Sequence, residues 1–346
     1  MKTDFKAVLK KYREWLWPTI WQSIDRVNNY PKFCQVPKKY QKELDFHKDI
    51  IGDYPKRQGK YLRPTLLVLT AQAMGASKNK AKRVAAAMQM SEDWILNHDD
   101  IEDDSPDRRG KPALHKIIGT ELAINAGDGL HVLMWEMLLD SPKEIQREFL
   151  TMLKRTVLGQ TIELKWARDN QEVKQDDVIL ILESKTGYYT IAGPMRLGAI
   201  LAGASKKQLE TIYKFGVVLG KAFQIIDDVL DLTSDFAGLK KVKGRDIVEG
   251  KKTVMMVDLL KKSNQEDKQI ISKIINKKRA DKTEKDVETI ISLMEKYGSI
   301  EYSKKLAAKF AKKAIEIFDK EMQFIKREPF RSEIRAGIDF IVNRDH

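Results

Sequence analysis

The chain has 346 residues, of which 42% are hydrophobic and 33% are charged, and its formal net charge is +13. This composition is typical of an ordinary soluble protein with a large core, and it excludes low-complexity and fibrous chains. The lysines are spread along the sequence instead of gathering on one element among aromatic residues, so we expect no nucleic acid partner. The positive net charge then indicates a lysine-rich solvated surface, or attraction for anionic substrates or for a membrane surface.

The single cysteine, Cys34, excludes an internal disulfide and fits a reducing compartment, so we expect a cytoplasmic protein. The N-terminal residues lack the apolar core of a secretion signal. The least charged long stretch, residues 186–205, contains an arginine, a proline and several glycines, which favours a buried helix over a membrane span. We therefore predict no transmembrane segment.

Hydrophobic periodicity predicts a chain built almost entirely of helices, with no convincing strand or repeat. Pro18 is expected to kink or break the first helix, and residues 235–250 are expected to form a charged loop. Amphipathic helices are expected from residue 252 to the end, with polar loops near residues 262–266 and 277–284. The helices predicted before the charged loop cover residues 4–28, 38–52, 65–74, 78–104, 119–140, 143–168, 187–203 and 206–233.

The helix predicted over residues 78–104 ends in a run of seven residues that contains five carboxylates. Within it, Asp99, Asp100 and Asp103 have the three- and four-residue spacing that shares one helix face, where the carboxylates repel each other unless a cation binds. Mg²⁺ prefers a few carboxylates together with substrate phosphates. For this cluster alone, a solvated acidic helix end is an equally good interpretation.

The same spacing recurs at Asp227, Asp228 and Asp231, where the neighbouring residues are apolar. Buried carboxylates without a partner are too costly to keep, so two such triads predict two helices that face each other across a metal–diphosphate site. The length alone would suggest roughly two domains. Because the triads need to meet in one cavity, we instead predict a single all-α domain over residues 1–346, a helical bundle around a central deep cavity.

Four basic segments accompany the triads, three at a predicted helix start or break and one in the loop that follows the first triad. Cations at a helix start oppose the helix dipole, but they suit an anion site, and arginine forks match phosphate oxygens. We interpret these segments as diphosphate clamps, and the alternative is charge balance by ion pairing. The segments contain Lys60 with Arg63, Arg108 with Arg109, Lys185 with Thr186, and Lys251.

Taken together, these motifs resemble those of the trans-isoprenyl diphosphate synthases, also called polyprenyl synthetases, and most of all a short-chain geranylgeranyl diphosphate synthase. The resemblance covers nearly the whole chain. It is carried by residues 59–64 (GKYLRP), 99–103 (DDIED), 108–110 (RRG), 185–186 (KT), 227–231 (DDVLD) and 249–253 (EGKKT).

The resemblance implies an enzyme that condenses isopentenyl diphosphate with allylic diphosphates in trans, head to tail (1′-4). The product would be geranylgeranyl diphosphate (C20), with farnesyl diphosphate (C15) as the alternative. The allylic diphosphate would ionise with the help of three Mg²⁺ ions, for which Mn²⁺ is an alternative, and the released diphosphate would take the proton. A homodimer is also implied.

The resemblance assigns roles to individual residues. The residues implied in catalysis are Asp99, Asp103, Lys185, Asp227 and Lys251. The implied metal ligands are Asp99, Asp103 and Asp227, supported by Asp100, Asp228 and Asp231. The implied contacts of the allylic diphosphate are Arg108, Lys185, Thr186, Gln224 and Lys251. The implied contacts of isopentenyl diphosphate are Lys60, Arg63 and Arg109, with Glu92 where the family often has His or Gln.

Product length is expected to depend on the residues one to two turns before Asp99, namely Ser91, Trp94 and Ile95, which would form the floor of the chain pocket. A large aromatic residue five positions before the first aspartate, with no two-residue insertion in the motif, resembles short-chain synthases. The alternative is that Trp94 faces another helix as part of the core.

Two other classes share this fold. A non-catalytic subunit of a heteromeric synthase would typically have lost aspartates from one or both motifs, and a terpene cyclase would commonly lack the isopentenyl-binding cations. This chain retains both sets, which favours the active chain-elongating enzyme.

Overall fold

A computed structural model describes residues 3–233 and 243–343, and most of these residues lie in helices, so the predicted all-α fold is confirmed. Short 3₁₀ turns occupy Lys32–Cys34, Lys38–Tyr40 and Arg279–Asp281, and a π-helix occupies Leu182–Ala192. The α-helices are α1 (Phe5–Asp25), α2 (Gln41–Lys56), α3 (Leu62–Ala73), α4 (Lys78–Glu102), α5 (Leu114–Ile118), α6 (Thr120–Leu138), α7 (Lys143–Arg168), α8 (Gln175–Ile181), α9 (Gly193–Leu201), α10 (Lys206–Thr233), α11 (Arg245–Glu249), α12 (Val254–Lys262), α13 (Gln265–Ile275), α14 (Glu284–Lys296), α15 (Ser299–Glu321) and α16 (Phe330–Val342).

Several helices begin where a side-chain oxygen accepts a backbone N–H of the first turn. Asp4 accepts from Lys6 before α1, and Ser77 accepts from Lys80 before α4. Thr253 does the same before α12. Such caps satisfy donors that have no partner inside the helix, and they explain why these helices start where they do.

The predicted helix bounds agree with the structure to different degrees. Residues 143–168 and 206–233 match α7 and α10 completely. Pro18 does not break α1, which continues to Asp25. The helix predicted over residues 38–52 begins instead with a 3₁₀ turn, and its α-helical part extends to Lys56 and includes Pro55 in its last turn.

Two predictions in the second half of the chain need correction. The helix expected to open at Gly187 is preceded by helical turns from Gln175 onward, since α8 leads directly into the π-helix. The charged loop predicted over residues 235–250 lies partly outside the described residues, and its C-terminal part forms the short helix α11.

By internal contacts the described residues divide into two compact units. The single-domain prediction and its central cavity therefore stay predictions. The first unit comprises Met1–Arg147, Leu197–Ala204 and Ile325–Ile334, and the second comprises Glu148–Arg196, Ser205–Phe324 and Arg335–His346.

In the first unit, α4 packs against α3 and α6 through its buried small and apolar residues. Alanines at residues 81, 85, 86 and 87 have no exposed surface, which permits close helix contacts. The buried face of α1 is formed by Leu16, Ile20 and Ile24, whereas the tryptophans of this helix are only half-buried.

In the second unit, α10 lies against the π-helix and α15. Glycines allow α10 to approach the π-helix closely. A Cβ added at Gly220 would press on the backbone of Gly187, and one added at Gly216 would press on Ala192. These close approaches place α10, which carries the second acidic triad, directly beside Lys185 and Thr186. Across residues 3–233 and 243–343, no helix is both long and apolar enough to cross a membrane.

Candidate active site

The first triad does not present three equivalent carboxylates. Asp100 is fully buried, and its carboxylate accepts hydrogen bonds from the Tyr54 hydroxyl and from Arg108, whose Nε lies 2.9 and 3.0 Å from the two oxygens. Burial, together with this carboxylate, raises the pKa of Tyr54. Asp99 and Asp103 are partly exposed near the end of α4. The triad therefore comprises an inner carboxylate held by protein groups and two outer ones.

A short hairpin explains how the two arginines after the triad reach different partners. Strands β1 (Asp107–Arg108) and β2 (Lys111–Pro112) pair antiparallel around Arg109 and Gly110. Both turn residues have positive φ, of 54° and 77°, as a two-residue type I′ hairpin requires. Sequence reasoning predicted only a loop here, although glycine at the second turn position is the usual signal.

Arg109 is held from several sides within the first unit. Its Nη1 donates to the Tyr54 carbonyl oxygen (2.9 Å), and its Nη2 lies 2.8 Å from Oδ1 of Asp93. The guanidinium covers Gly59, where an added Cβ would come within 2.6 Å of Nη2. Asp93 also accepts from Gln89 Nε2 (3.2 Å). Sequence reasoning assigned no role to Asp93, although a carboxylate within an apolar helix segment was a usable signal.

Glu92 lies beside both arginines that the sequence predicts to bind isopentenyl diphosphate. Its Oε1 is 3.2 Å from Nη1 of Arg63 and 3.9 Å from Nη2 of Arg109. Lys60, the third predicted cation, is exposed in the irregular segment before α3. Glu92 therefore forms an ion pair with Arg63.

The predicted chain-length residues lie on α4, and their surroundings differ. The Ser91 hydroxyl is buried and donates to the Met88 carbonyl oxygen (2.8 Å). The Trp94 ring stacks on His131 of α6, with ring centroids 4.2 Å apart and planes inclined by 18°. Ile95 is half-buried. Trp94 thus packs between helices, and its role as the floor of the pocket stays a prediction.

In the second unit, the predicted allylic-site lysine is paired with a half-buried carboxylate. Lys185 Nζ donates to Glu163 Oε2 of α7 at 2.7 Å. Burial opposes ionisation of Glu163, but the ammonium groups of Lys185 and Lys251 outweigh it and lower the pKa of this carboxyl. Glu163 was not among the predicted site residues, because 22 positions separate it from Lys185.

Four predicted residues of the second unit form one chain of hydrogen bonds. The Thr186 hydroxyl donates to Gln224 Oε1 (2.7 Å), and Gln224 Nε2 donates to Asp228 Oδ1 (2.9 Å). The same oxygen of Asp228 accepts from Lys251 Nζ (2.9 Å). The buried inner carboxylate of this triad, like Asp100 in the first, is therefore neutralised by a cation of the chain itself.

Around Lys251 the structure adds a further carboxylate, Asp246, whose two oxygens lie 3.4 Å from Nζ. Burial raises the pKa of Asp246 well above the usual range. Its backbone N–H donates to Asp231 Oδ2 (3.1 Å), and burial raises the pKa of Asp231 to about 6. Asp227 is exposed on α10.

The carboxylates of each unit fit a hard divalent cation that is bound together with a substrate. Across residues 3–233 and 243–343, no group of three His, Cys, Asp or Glu side chains could hold a metal by itself. Mg²⁺ usually binds through one or two carboxylates and completes its shell with water and phosphate oxygens. Asp99 and Asp103 are partly exposed and Asp227 is exposed, and carboxylate oxygens suit Mg²⁺ or Mn²⁺.

The helical fold and the carboxylate and cation sets define an isoprenoid synthase-type protein. Residues 45–294 match the polyprenyl synthetase family, and the chain belongs to this family. It is 31% identical to a short chain isoprenyl diphosphate synthase of Methanothermobacter thermautotrophicus, over 83% of this chain and 87% of the relative. It is 32% identical to a geranylgeranyl diphosphate synthase of Sulfolobus acidocaldarius, over 81% of this chain and 84% of the relative.

The fold is similar to solved structures over almost its full length. The crystal structure of a geranylgeranyl pyrophosphate synthetase from Pyrococcus horikoshii superposes with a TM-score of 0.83 at 28% identity, covering 99% of this chain and 98% of that one. The family resemblance drawn from the motifs is therefore confirmed. The roles of the individual site residues stay predictions.

Proposed function

We propose that this protein condenses isopentenyl diphosphate with allylic diphosphates to make a short-chain prenyl diphosphate, geranylgeranyl diphosphate first and farnesyl diphosphate second. In each step the bond between C1 and oxygen of the allylic substrate breaks, and diphosphate leaves. C1 then bonds to C4 of isopentenyl diphosphate, and a proton passes to the released diphosphate. The observation that supports this most is that α4 and α10 each carry a D-D-x-x-D set with its own cations, in a member of this family.

The reaction needs divalent metal, and we assign the ligands to the outer carboxylates. Asp99, Asp103 and Asp227 would bind three Mg²⁺ ions together with the allylic diphosphate, and Asp100, Asp228 and Asp231 would support them. Bound Mg²⁺ would neutralise the charge that develops on the departing diphosphate. Because Asp100 and Asp228 already bind cations of the chain, we expect them to act by orienting Arg108 and Lys251.

The residues of the chain bind and orient the two substrates. Lys185 and Lys251 would contact the allylic diphosphate. Burial of Lys251 disfavours its charged form, but the neighbouring carboxylates outweigh burial and raise the pKa of this lysine. Arg108 is fixed by Asp100 in the same way. The oxygens of Thr186 and Gln224 would screen the allylic cation, and Arg63 and Arg109 with Lys60 would bind isopentenyl diphosphate.

We also propose a homodimer in the cytoplasm. Helices α6 and α7 each carry bulky apolar side chains that are exposed in the single chain, and exposed apolar side chains of this kind are typical of protein–protein interfaces. The single cysteine is exposed and supports a reducing compartment. The exposed apolar residues are Leu122, Ile124 and Val132 on α6, and Leu150, Val157 and Leu158 on α7.

The test is an assay of purified protein with isopentenyl diphosphate and geranyl or farnesyl diphosphate, with Mg²⁺ or with EDTA, followed by chromatography of the products. We expect C20 product with Mg²⁺ and none with EDTA. Asp99→Ala and Asp227→Ala should each reduce turnover by several orders of magnitude with unchanged helical circular dichroism. Asp104→Ala, one residue beyond the motif, is the matched control and should retain activity. No condensation by the wild type, or near-normal rates in either triad variant, would overturn the proposal.

A further inference from the structure

Four charged side chains of alternating sign form a row that runs inward, and two of them are arginines predicted to bind isopentenyl diphosphate. In order they are Arg63, Glu92, Arg109 and Asp93, with consecutive charged groups 3.2, 3.9 and 2.8 Å apart. The side chain of Arg63 is 22% exposed, that of Glu92 11%, that of Arg109 13%, and that of Asp93 only 1%. The two carboxylates are adjacent in sequence but occupy different positions relative to the arginines.

Asp93 is the nearer and more deeply buried of the two carboxylates beside Arg109. Asp93 contacts Arg109 Nη2 and is itself held by Gln89 Nε2. The hydrogen bond from Arg109 to the Tyr54 carbonyl oxygen and the packing against Gly59 also fix the plane of the Arg109 guanidinium. A long, flexible side chain that is held in this way loses no further rotamer freedom when an anion binds. Asp93 therefore holds Arg109 in one orientation before an anion binds.

Glu92 approaches the same Nη2 of Arg109 from farther away and is less deeply buried than Asp93, with 11% of its side chain exposed against 1%. Its Oε1 lies within 4 Å of both Arg63 and Arg109, which is where an oxygen of an anion that bridges the two guanidinium groups would bind. Its other oxygen is buried and, among the residues that the structure describes, has no hydrogen-bond partner. A diphosphate at these arginines must compete with this carboxylate, since like charges at such distances repel.

We propose that Asp93 is a positioning residue that fixes Arg109, whereas Glu92 is a displaceable carboxylate that competes with isopentenyl diphosphate for Arg63 and Arg109. The inference rests on the proposed function, because that function assigns the diphosphate to these arginines. It makes two adjacent carboxylates act on one substrate in opposite directions.

The test compares Glu92→Gln with Asp93→Asn, which remove the same charge one residue apart and so control for net charge. With isopentenyl diphosphate varied against saturating allylic substrate, Glu92→Gln should lower the KM for isopentenyl diphosphate by about 3- to 10-fold, and Asp93→Asn should raise it about tenfold. The kcat and the KM for the allylic substrate should change little. Calorimetric titration with isopentenyl diphosphate should show the same opposite shifts in Kd.

A double variant tests whether Asp93 acts through Arg109. If it does, adding Asp93→Asn to Arg109→Gln should leave the KM of the single Arg109→Gln variant unchanged. Melting temperatures identify a variant that fails to fold, and Glu92→Gln alone still decides the competing role of Glu92.

The outcomes separate this inference from the proposed function. A wild type without turnover overturns both. A wild type that is active, with both substitutions shifting the KM in the same direction or with no fall in KM for Glu92→Gln, overturns the inference and leaves the function intact.

Discussion

Replacing Gly220 with alanine should damage both the stability and the activity of the protein. The added Cβ would press on the Gly187 Cα and lie 2.9 Å from its amide nitrogen, whereas ordinary van der Waals contact begins at 3.4 Å. Both neighbours are backbone atoms, so no side chain can rotate away. The π-helix and α10 must then separate by roughly 0.5–1 Å, since repulsion at shorter distances is steep.

The energetic cost follows from this displacement. Overpacking in a core costs about 1–3 kcal/mol or more, and the better helix propensity of alanine returns about 1 kcal/mol. Because the clash is with backbone atoms, we take its cost at the upper end, about 3 kcal/mol, so the net loss is about 2 kcal/mol, with a melting temperature lower by about 3 °C for a chain of this length. Gln224 lies one turn beyond Gly220, and its 2.7 Å bond from Thr186 would lengthen toward 3.5 Å. Loss of such a bond would reduce kcat by up to about tenfold.

The assay combines thermal unfolding by circular dichroism with steady-state kinetics. Gly52→Ala is the matched control, because a Cβ there would contact only side chains, at 3.3–3.5 Å, and should change stability by less than about 1 kcal/mol. If Gly220→Ala has the melting temperature and kcat of the wild type, the glycine contact does not position α10. If only the melting temperature falls, the contact is not coupled to Gln224.

Trp94→Ala should lengthen the products if Trp94 is the floor of the chain pocket. If Trp94 is instead part of the core, the substitution should lower the free energy of unfolding by about 3–5 kcal/mol and leave the products unchanged. An unchanged product distribution from a folded, active variant would show that Trp94 does not set the product length. Light scattering at micromolar concentration should show a homodimer, and Val157→Glu should shift it toward monomer, whereas a monomeric wild type would refute the dimer. Burial raises the pKa of Asp93 to about 6. A carboxyl whose pKa is higher in the folded than in the unfolded chain stabilises the folded state at low pH, and this stabilisation is lost as the pH rises through the folded pKa. For Asp93 the free energy of unfolding should fall by up to about 3 kcal/mol between pH 4 and 7. Comparing the pH dependence of unfolding in the wild type and Asp93→Asn isolates this contribution, and parallel curves would contradict it.

Local patterns determined the helical architecture and the chemistry-bearing residue types of this protein. The bounds of α7 and α10 were readable because helix periodicity and end signals act within a few residues. The spacing of the two triads, and the cations beside them, were readable for the same reason. These features carried the family resemblance without any tertiary information.

Tertiary packing decided which carboxylate of each triad points inward and which cation it binds. Asp99 and Asp100 are adjacent, yet only Asp100 reaches Tyr54, which lies 46 positions away. The pairs of Lys185 with Glu163, and of Arg109 with Asp93, depend equally on contacts between separate elements. The π-helix beside α10 depends on the Gly187–Gly220 contact. Periodicity along one helix places side chains on a face, but the partner that a buried charge requires comes from whichever element packs against that face.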